Sequence, residues 1–163
     1  MRKIGVRFFG LILLSTLGAC ASSPDRLVLE SPAPQARLAW PLNESHVITS
    51  GYGARDGHGP KGDFHRGIDI SAPRGTRVLA AASGVVSGVG DANGYGHCIL
   101  IDHGNGTVTL YAHLLDFAVR RGDRVVAGDC IGRVGKSGNA TGYHLHFEVR
   151  QGNHTVDPRL YLR

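Results

Sequence analysis

The stretch Gly142-Tyr143-His144-Leu145-His146-Phe147-Glu148-Val149-Arg150 changes side-chain type at every step. A period of two is the mark of a β-strand, in which successive side chains point to opposite faces. Leu145, Phe147 and Val149 fall on one face, and His144, His146 and Glu148 on the other. Two imidazoles two residues apart stand roughly 6–7 Å apart at the backbone. At that spacing both can converge on one small object, a metal ion being the obvious candidate. A solvent-facing strand can also carry H-x-H by chance, so the motif gains meaning only if the rest of the chain supplies further ligands.

Outward from this strand, the chain from about residue 39 to 163 is rich in Gly and carries short β-type runs punctuated by turn residues. These runs are 46–49, 77–86, 98–102, 107–113, 124–126, 130–134 and 144–150. No stretch shows convincing 3.6-residue periodicity. Asp102-His103-Gly104-Asn105-Gly106 between two runs is a hairpin signal. The expectation is an all-β domain spanning 39–163, long enough to bury a core and built as a compact antiparallel β-sandwich or open barrel.

The N-terminal part has a different character. Met1-Arg2-Lys3 and Arg7 precede an apolar run from Phe8 to Ala19, the layout of a secretory signal peptide and short for a bilayer span. Leu17-Gly18-Ala19-Cys20 resembles a bacterial lipoprotein box, which implies lipidation of Cys20 as the mature N-terminus and stable membrane anchoring. Ala21 stands where an Asp would mark retention at the inner membrane, so the resemblance points to a periplasmic domain anchored to the outer membrane. Residues 20–38 are Ser-, Pro- and Ala-rich and read as a disordered tether. Residues 1–19 carry three of the 18 Lys+Arg, which leaves fifteen against 13 Asp+Glu. With that near balance and no basic cluster interleaved with aromatics, nucleic-acid binding is set aside. Cys98 and Cys130 remain in an oxidising compartment, where they either pair or stay as two reduced, small apolar residues.

Further ligands come from His65-Arg66-Gly67-Ile68-Asp69, an H-x-x-x-D whose His and Asp could reach a common ion, with Gly67 permitting close approach. Hydrolytic zinc takes three N/O ligands and leaves a fourth position for water. His65, Asp69 and one of His144 and His146 would meet that count, and spacing alone does not choose between the two. Tyr111-Ala112-His113-Leu114 adds another histidine at a strand end.

In this order, H-x-x-x-D, Y-A-H-L and H-L-H resemble the motifs of the lysostaphin/LytM-type zinc metallopeptidases of peptidoglycan, the M23 family. The similarity extends through Gly67–Thr76, Gly94-Tyr95-Gly96, His103-Gly104-Asn105-Gly106, Gly122-Asp123, Ile131-Gly132 and Ser137–Arg150. Tyr143 stands where the family often has Pro. The resemblance implies one Zn²⁺ held by His65, Asp69 and His146, with His113 and His144 in catalysis, and leaves the division of labour between that pair open. It implies a monomeric endopeptidase acting on peptidoglycan stem or cross-bridge peptides. The lipobox context makes D-alanyl–diaminopimelate links the expected bond and glycyl-glycine bridges the alternative. Because some family members have lost ligands and activate other enzymes, a regulator of a cell-wall amidase is the competing function. His46, His58, His97, His103 and His154 read as surface, turn or packing residues. The 56–62 loop reads as a solvated loop beside the groove, and Glu148 as either a support to a ligand or an exposed carboxylate.

Overall fold

The computed structural model describes residues 37–44, 46–54 and 64–163. The signal segment, Cys20, the tether up to residue 36 and the 56–62 loop lie outside the described residues. Leu38, which composition assigned to the end of the tether, is fully buried. It bridges Leu162 in parallel, and its N–H donates to the carbonyl of Tyr161.

Among the described residues the regular structure is thirteen strands and one 3₁₀ turn, Pro158–Leu160. The strands are β1 (Ile48–Ser50), β2 (Gly53–Ala54), β3 (Phe64–His65), β4 (Ile68–Ser71), β5 (Arg77–Leu79), β6 (Gly84–Ala92) and β7 (Gly96–Asp102). They continue with β8 (Thr107–Ala112), β9 (Leu114–Phe117), β10 (Arg124–Val125), β11 (Cys130–Val134), β12 (His144–Gln151) and β13 (His154–Val156). The larger of the two main sheets runs β1-β4-β12-β8-β7-β6-β10, with β13 also paired to β12, the smaller runs β5-β11-β9, and β2 pairs β3 as a separate antiparallel ribbon. Pairing is antiparallel throughout both sheets. The expected all-β antiparallel architecture is therefore observed, with the two main sheets sharing one core.

Its core follows from the alternation read in β12. Leu145, Phe147 and Val149 are fully buried, in one cluster with Ile68, Ile70, Ile99, Ile101 and Tyr111 of the larger sheet and Val78, Leu114, Ile131 and Val134 of the smaller. Burying each such aliphatic side chain contributes about 1.5–3 kcal/mol. The opposite face of the larger sheet carries a small apolar patch, Cys98, Leu110 and Ala112, beneath the polar residues of the site.

One sequence expectation changes and one open alternative is decided. The run 77–86 is two strands, because after Leu79 the chain leaves the smaller sheet and enters the larger at Gly84. Ala80 and Ala81 at the crossing are buried, so an apolar run conceals the break. Cys98 and Cys130 do not pair, and both are free. Cys98 sits on β7 of the larger sheet and Cys130 at the start of β11 of the smaller, where its Sγ contacts the Gly132 carbonyl at 3.6 Å.

The hairpin turn forms as expected, with Gly104, Asn105 and Gly106 all at positive φ and the Gly104 N–H donating to Asp102 Oδ1 at 2.8 Å. His103 does more than turn the chain. Its Nδ1 meets the Ser83 carbonyl at 2.9 Å and its Nε2 the Thr109 hydroxyl at 2.7 Å, which in turn contacts the buried Tyr111 hydroxyl at 3.0 Å. Burial lowers the pKa of His103 against the opposing pull of the Ser83 carbonyl, keeping the ring neutral in this network.

Gly67 shows how closely β4 lies against β12. A Cβ there would overlap the Phe147 carbonyl oxygen and crowd Glu148 Cγ at 2.9 Å. Gly67→Ala is expected to cost about 1–3 kcal/mol and to loosen the Asp69–His146 register. Thermal unfolding of the variant checks this, and a variant that melts with wild type would refute the close-approach reading.

Candidate metal centre and cleft

Strand register assembles the site. In the β4–β12–β8 ladder Asp69 pairs with His146, and His146 pairs with Ala112 on its other side. His113 follows Ala112 directly, between β8 and β9, and His65 ends β3 three residues before β4 begins. One row across three neighbouring strands therefore gathers residues far apart in sequence.

Three donor atoms converge. His65 Nε2 lies 3.1 Å from Asp69 Oδ1 and 3.1 Å from His146 Nδ1, and His146 Nδ1 lies 2.8 Å from the same Asp69 oxygen. Their remote nitrogens are committed elsewhere. His65 Nδ1 faces the Gly51 carbonyl at 2.7 Å, which can only accept, so that nitrogen carries the proton. His146 Nε2 faces Glu148 Oε1 at 3.1 Å and donates likewise. As neutral rings, both histidines thus turn lone pairs toward one carboxylate oxygen, an arrangement that repels itself unless a cation or a proton lies between. A tetrahedral ion with N/O ligands at 2.0–2.1 Å separates them by about 3.3 Å. The donor set, its edge lengths and its fixed tautomers fit a divalent metal ion, and His146 rather than His144 is the member of the H-x-H pair in the cluster.

The cluster's electrostatics agree. Burial pushes the Asp69 carboxyl up, but with protons on the facing nitrogens in place of a cation, the hydrogen bonds and charges of His146 and His65 outweigh it and hold the group far below the usual carboxylate range. For His146, burial lowers the pKa and the flanking Asp69 and Glu148 raise it further, so the net direction is upward.

Glu148 is a support to a ligand rather than an exposed strand carboxylate. It is fully buried, and donors surround it: the Tyr95 hydroxyl at 2.6 Å, His146 Nε2 at 3.1 Å, and Arg150 Nε and Nη2 at 2.9 and 2.7 Å. Against burial, which raises its pKa, these bonds keep it ionised.

His113 and His144 stand beside the cluster, ring centroids 4.7 Å apart, and His113 lies 5.8 Å from His146. His113 Nδ1 meets the Ser137 carbonyl at 2.8 Å and His144 Nδ1 the Gly142 carbonyl at 3.0 Å, which leaves each Nε2 for the cleft. Burial, with smaller contributions from His144 and His146, lowers the pKa of His113 despite the Ser137 carbonyl, so its Nε2 is an unprotonated base at neutral pH. His113 holds a left-handed backbone, φ +60°, pinned by its N–H to the Tyr95 carbonyl and by the Gly135 N–H to its own carbonyl, both at 3.0 Å. Such strain costs about 1–3 kcal/mol and clusters at functional positions.

A cleft of ≈ 540 Å³ opens above these five residues, walled by Phe64, Asn93, Tyr95, Asn139 and Thr141. Sequence reading assigned none of these a role. The available signal was Gly94-Tyr95-Gly96, and its mechanism is now visible: Gly96 and Gly138 abut backbone to backbone, so the 137–142 segment lies against Tyr95 and carries Ser137 to His113. Tyr143, in place of Pro, is half exposed and outside the donor set.

The family model of Peptidase family M23 matches residues 63–158. This chain belongs to that family. Among similar proteins, the DD-carboxypeptidase/endopeptidase Mpg of Neisseria meningitidis is 48% identical over 95 residues, 58% of this chain and 22% of Mpg. The lipoprotein YgeR of Escherichia coli K12 is 36% identical over 91% of this chain and 57% of its own length. The murein hydrolase activator NlpD of Salmonella dublin is 32% identical over 86% of this chain and 35% of its own. The chain thus spans about a fifth to just over half of the length of these relatives. The solved catalytic domain of a mutant of the prophage-encoded M23 protein EnpA from Enterococcus faecalis superposes with a TM-score of 0.68 at 36% identity. That match covers 78% of this chain and 97% of the EnpA domain.

Proposed function

We propose that this chain is a zinc-dependent endopeptidase that hydrolyses peptide cross-links of peptidoglycan. The observation that carries the reading is the joint presence of a three-donor cluster, His65, Asp69 and His146, and two further imidazoles with Nε2 turned to the same cleft. A site with three protein ligands and an open side is the hydrolytic pattern, whereas structural zinc sites fill four positions with protein. Zinc held there would supply Lewis acidity for the scissile carbonyl and an acidified water. His113, unprotonated at Nε2, takes the proton of the attacking water. His144, whose Nδ1 gives its proton to the Gly142 carbonyl and whose Nε2 lies 3.7 Å from Asp69 Oδ1, stands beside it and, carrying a second proton on Nε2 as the imidazolium, donates to the developing oxyanion. As the C–N bond breaks, the proton held by His113 passes to the departing amine.

The name of Mpg supports the activity, and that of YgeR supports a lipid anchor. On this reading residues 1–19 are removed, Cys20 is lipidated, the residues between it and buried Leu38 form a tether, and 38–163 act as a monomer in the periplasm beneath the outer membrane. Purified protein is expected to bind one zinc and to release cross-linked muropeptide dimers as monomers from sacculi. A zinc-loaded sample that leaves sacculi intact, as inert as its His113→Ala variant, would sink the enzyme reading.

The similarity to NlpD favours a second reading, an activator of a cell-wall amidase. Adding the protein to an inactive amidase separates the two: activation that survives His146→Ala needs no metal and supports the activator.

A further inference from the structure

The depression does not end at the metal site. A second cavity of ≈ 580 Å³ adjoins the cleft through Arg66, which lines both. Its walls include Arg66, Arg150, Asn153, His154 and Thr155, and among the described residues no carboxylate lines it.

The route from one to the other follows β12. His144, His146, Glu148 and Arg150 succeed one another on a single face, so Arg150 stands about 13 Å along the strand from His146. The Arg150 guanidinium is fixed in place by its two bonds to buried Glu148. The opposite wall is tied down where the Tyr52 hydroxyl donates to the Thr155 carbonyl at 2.6 Å. Glu148 offsets one guanidinium, and Arg66, exposed and next to the metal donor His65, adds a second positive charge. Beyond His144, on the other side of the donor cluster, a cavity of ≈ 370 Å³ is lined instead by Thr49, Ser50, Ser71, Thr141 and Tyr143 beside Asp69 and His144. The groove is thus cationic on one side of the reacting position and hydroxyl-lined on the other.

We propose that the Arg66–Arg150–His154 cavity is a subsite for a carboxylate of the substrate peptide. It selects carboxylate-bearing stem peptides over glycine bridges, which carry no side-chain carboxylate. The proposal rests on the peptidase reading for its substrate. The Arg150 guanidinium reaches back to Glu148, whose other oxygen bonds His146, so the recognised carboxylate lies within about three residues, or one long side chain, of the scissile bond.

Two matched cross-linked stem peptides test this, one with free carboxylates and one fully amidated, each followed for binding by fluorescence polarisation and for hydrolysis on the zinc-loaded chain. The acid form is expected to bind and turn over about tenfold better, the size of one charge-assisted hydrogen bond. Arg66→Gln should bring that acid-to-amide ratio from about ten to about one, as should raised salt. Equal handling of the two peptides by wild type, no binding of either, or a ratio untouched by Arg66→Gln overturns the subsite. A chain that binds the acid peptide preferentially yet cleaves neither keeps the subsite and removes the peptidase reading. One that cleaves both equally does the reverse.

Discussion

His113→Ala is expected to keep one zinc per chain and to lose about 10²–10⁴-fold in kcat, the range for removing a positioned general base. The metal donors do not depend on this ring, since His65, Asp69 and His146 contact one another directly. The base role rests on two observations. Nδ1 is committed to the Ser137 carbonyl, and burial keeps the ring neutral, so the lone pair sits on Nε2. His144→Ala should fall in the same range, and the double variant should lose far less than the product of the two, because residues acting as a unit are not additive. Metal analysis and muropeptide release from sacculi check this. Activity within tenfold of wild type at full zinc loading would remove His113 from the mechanism.

Much of this was legible because β-structure writes its two faces into the sequence. The alternation in 144–150 puts Leu145, Phe147 and Val149 on one face, and the structure buries all three completely. The H-x-x-x-D and H-x-H motifs narrowed the metal donors to four residues. The family resemblance chose His146 over His144; its physical basis is the β4–β12 register, which puts His146 opposite Asp69 and which no local spacing carries. The short strands β3, β4, β9 and β13 went unread for a related reason. With two to four residues each, they are defined by partners distant in sequence rather than by their own pattern. Tyr95 was the costliest omission. Its hydroxyl reaches Glu148 across 53 positions, and a Tyr between two glycines announces a turn, not a contact with the support of a metal donor.

Glu148→Gln is expected to weaken zinc binding about 10–100-fold, the usual cost of losing the hydrogen-bonded carboxylate behind a metal-ligating histidine. Every group around Glu148 is a donor: the Tyr95 hydroxyl, His146 Nε2–H, and Arg150 Nε and Nη2. An amide replaces one of the two acceptor oxygens with an NH₂ and must turn that NH₂ toward one side. Turned to Arg150, it leaves the guanidinium facing a donor. Turned to His146, it favours the tautomer with the proton on Nδ1, removing the lone pair from the very atom that lies 2.8 Å from Asp69 Oδ1. Arg150 is partly exposed, at 29%, and can recover water. The accompanying loss of stability therefore belongs near the low end of the ~1–3 kcal/mol cost of an unsatisfied buried group. Competition with a chromogenic chelator measures the affinity, and unfolding of the metal-free variant measures stability separately. A weakened zinc affinity with nearly unchanged metal-free stability identifies Glu148 as the residue that sets the His146 tautomer. Equal losses in both would make it a general brace of β12, and unaltered zinc affinity would leave the tautomer set without it.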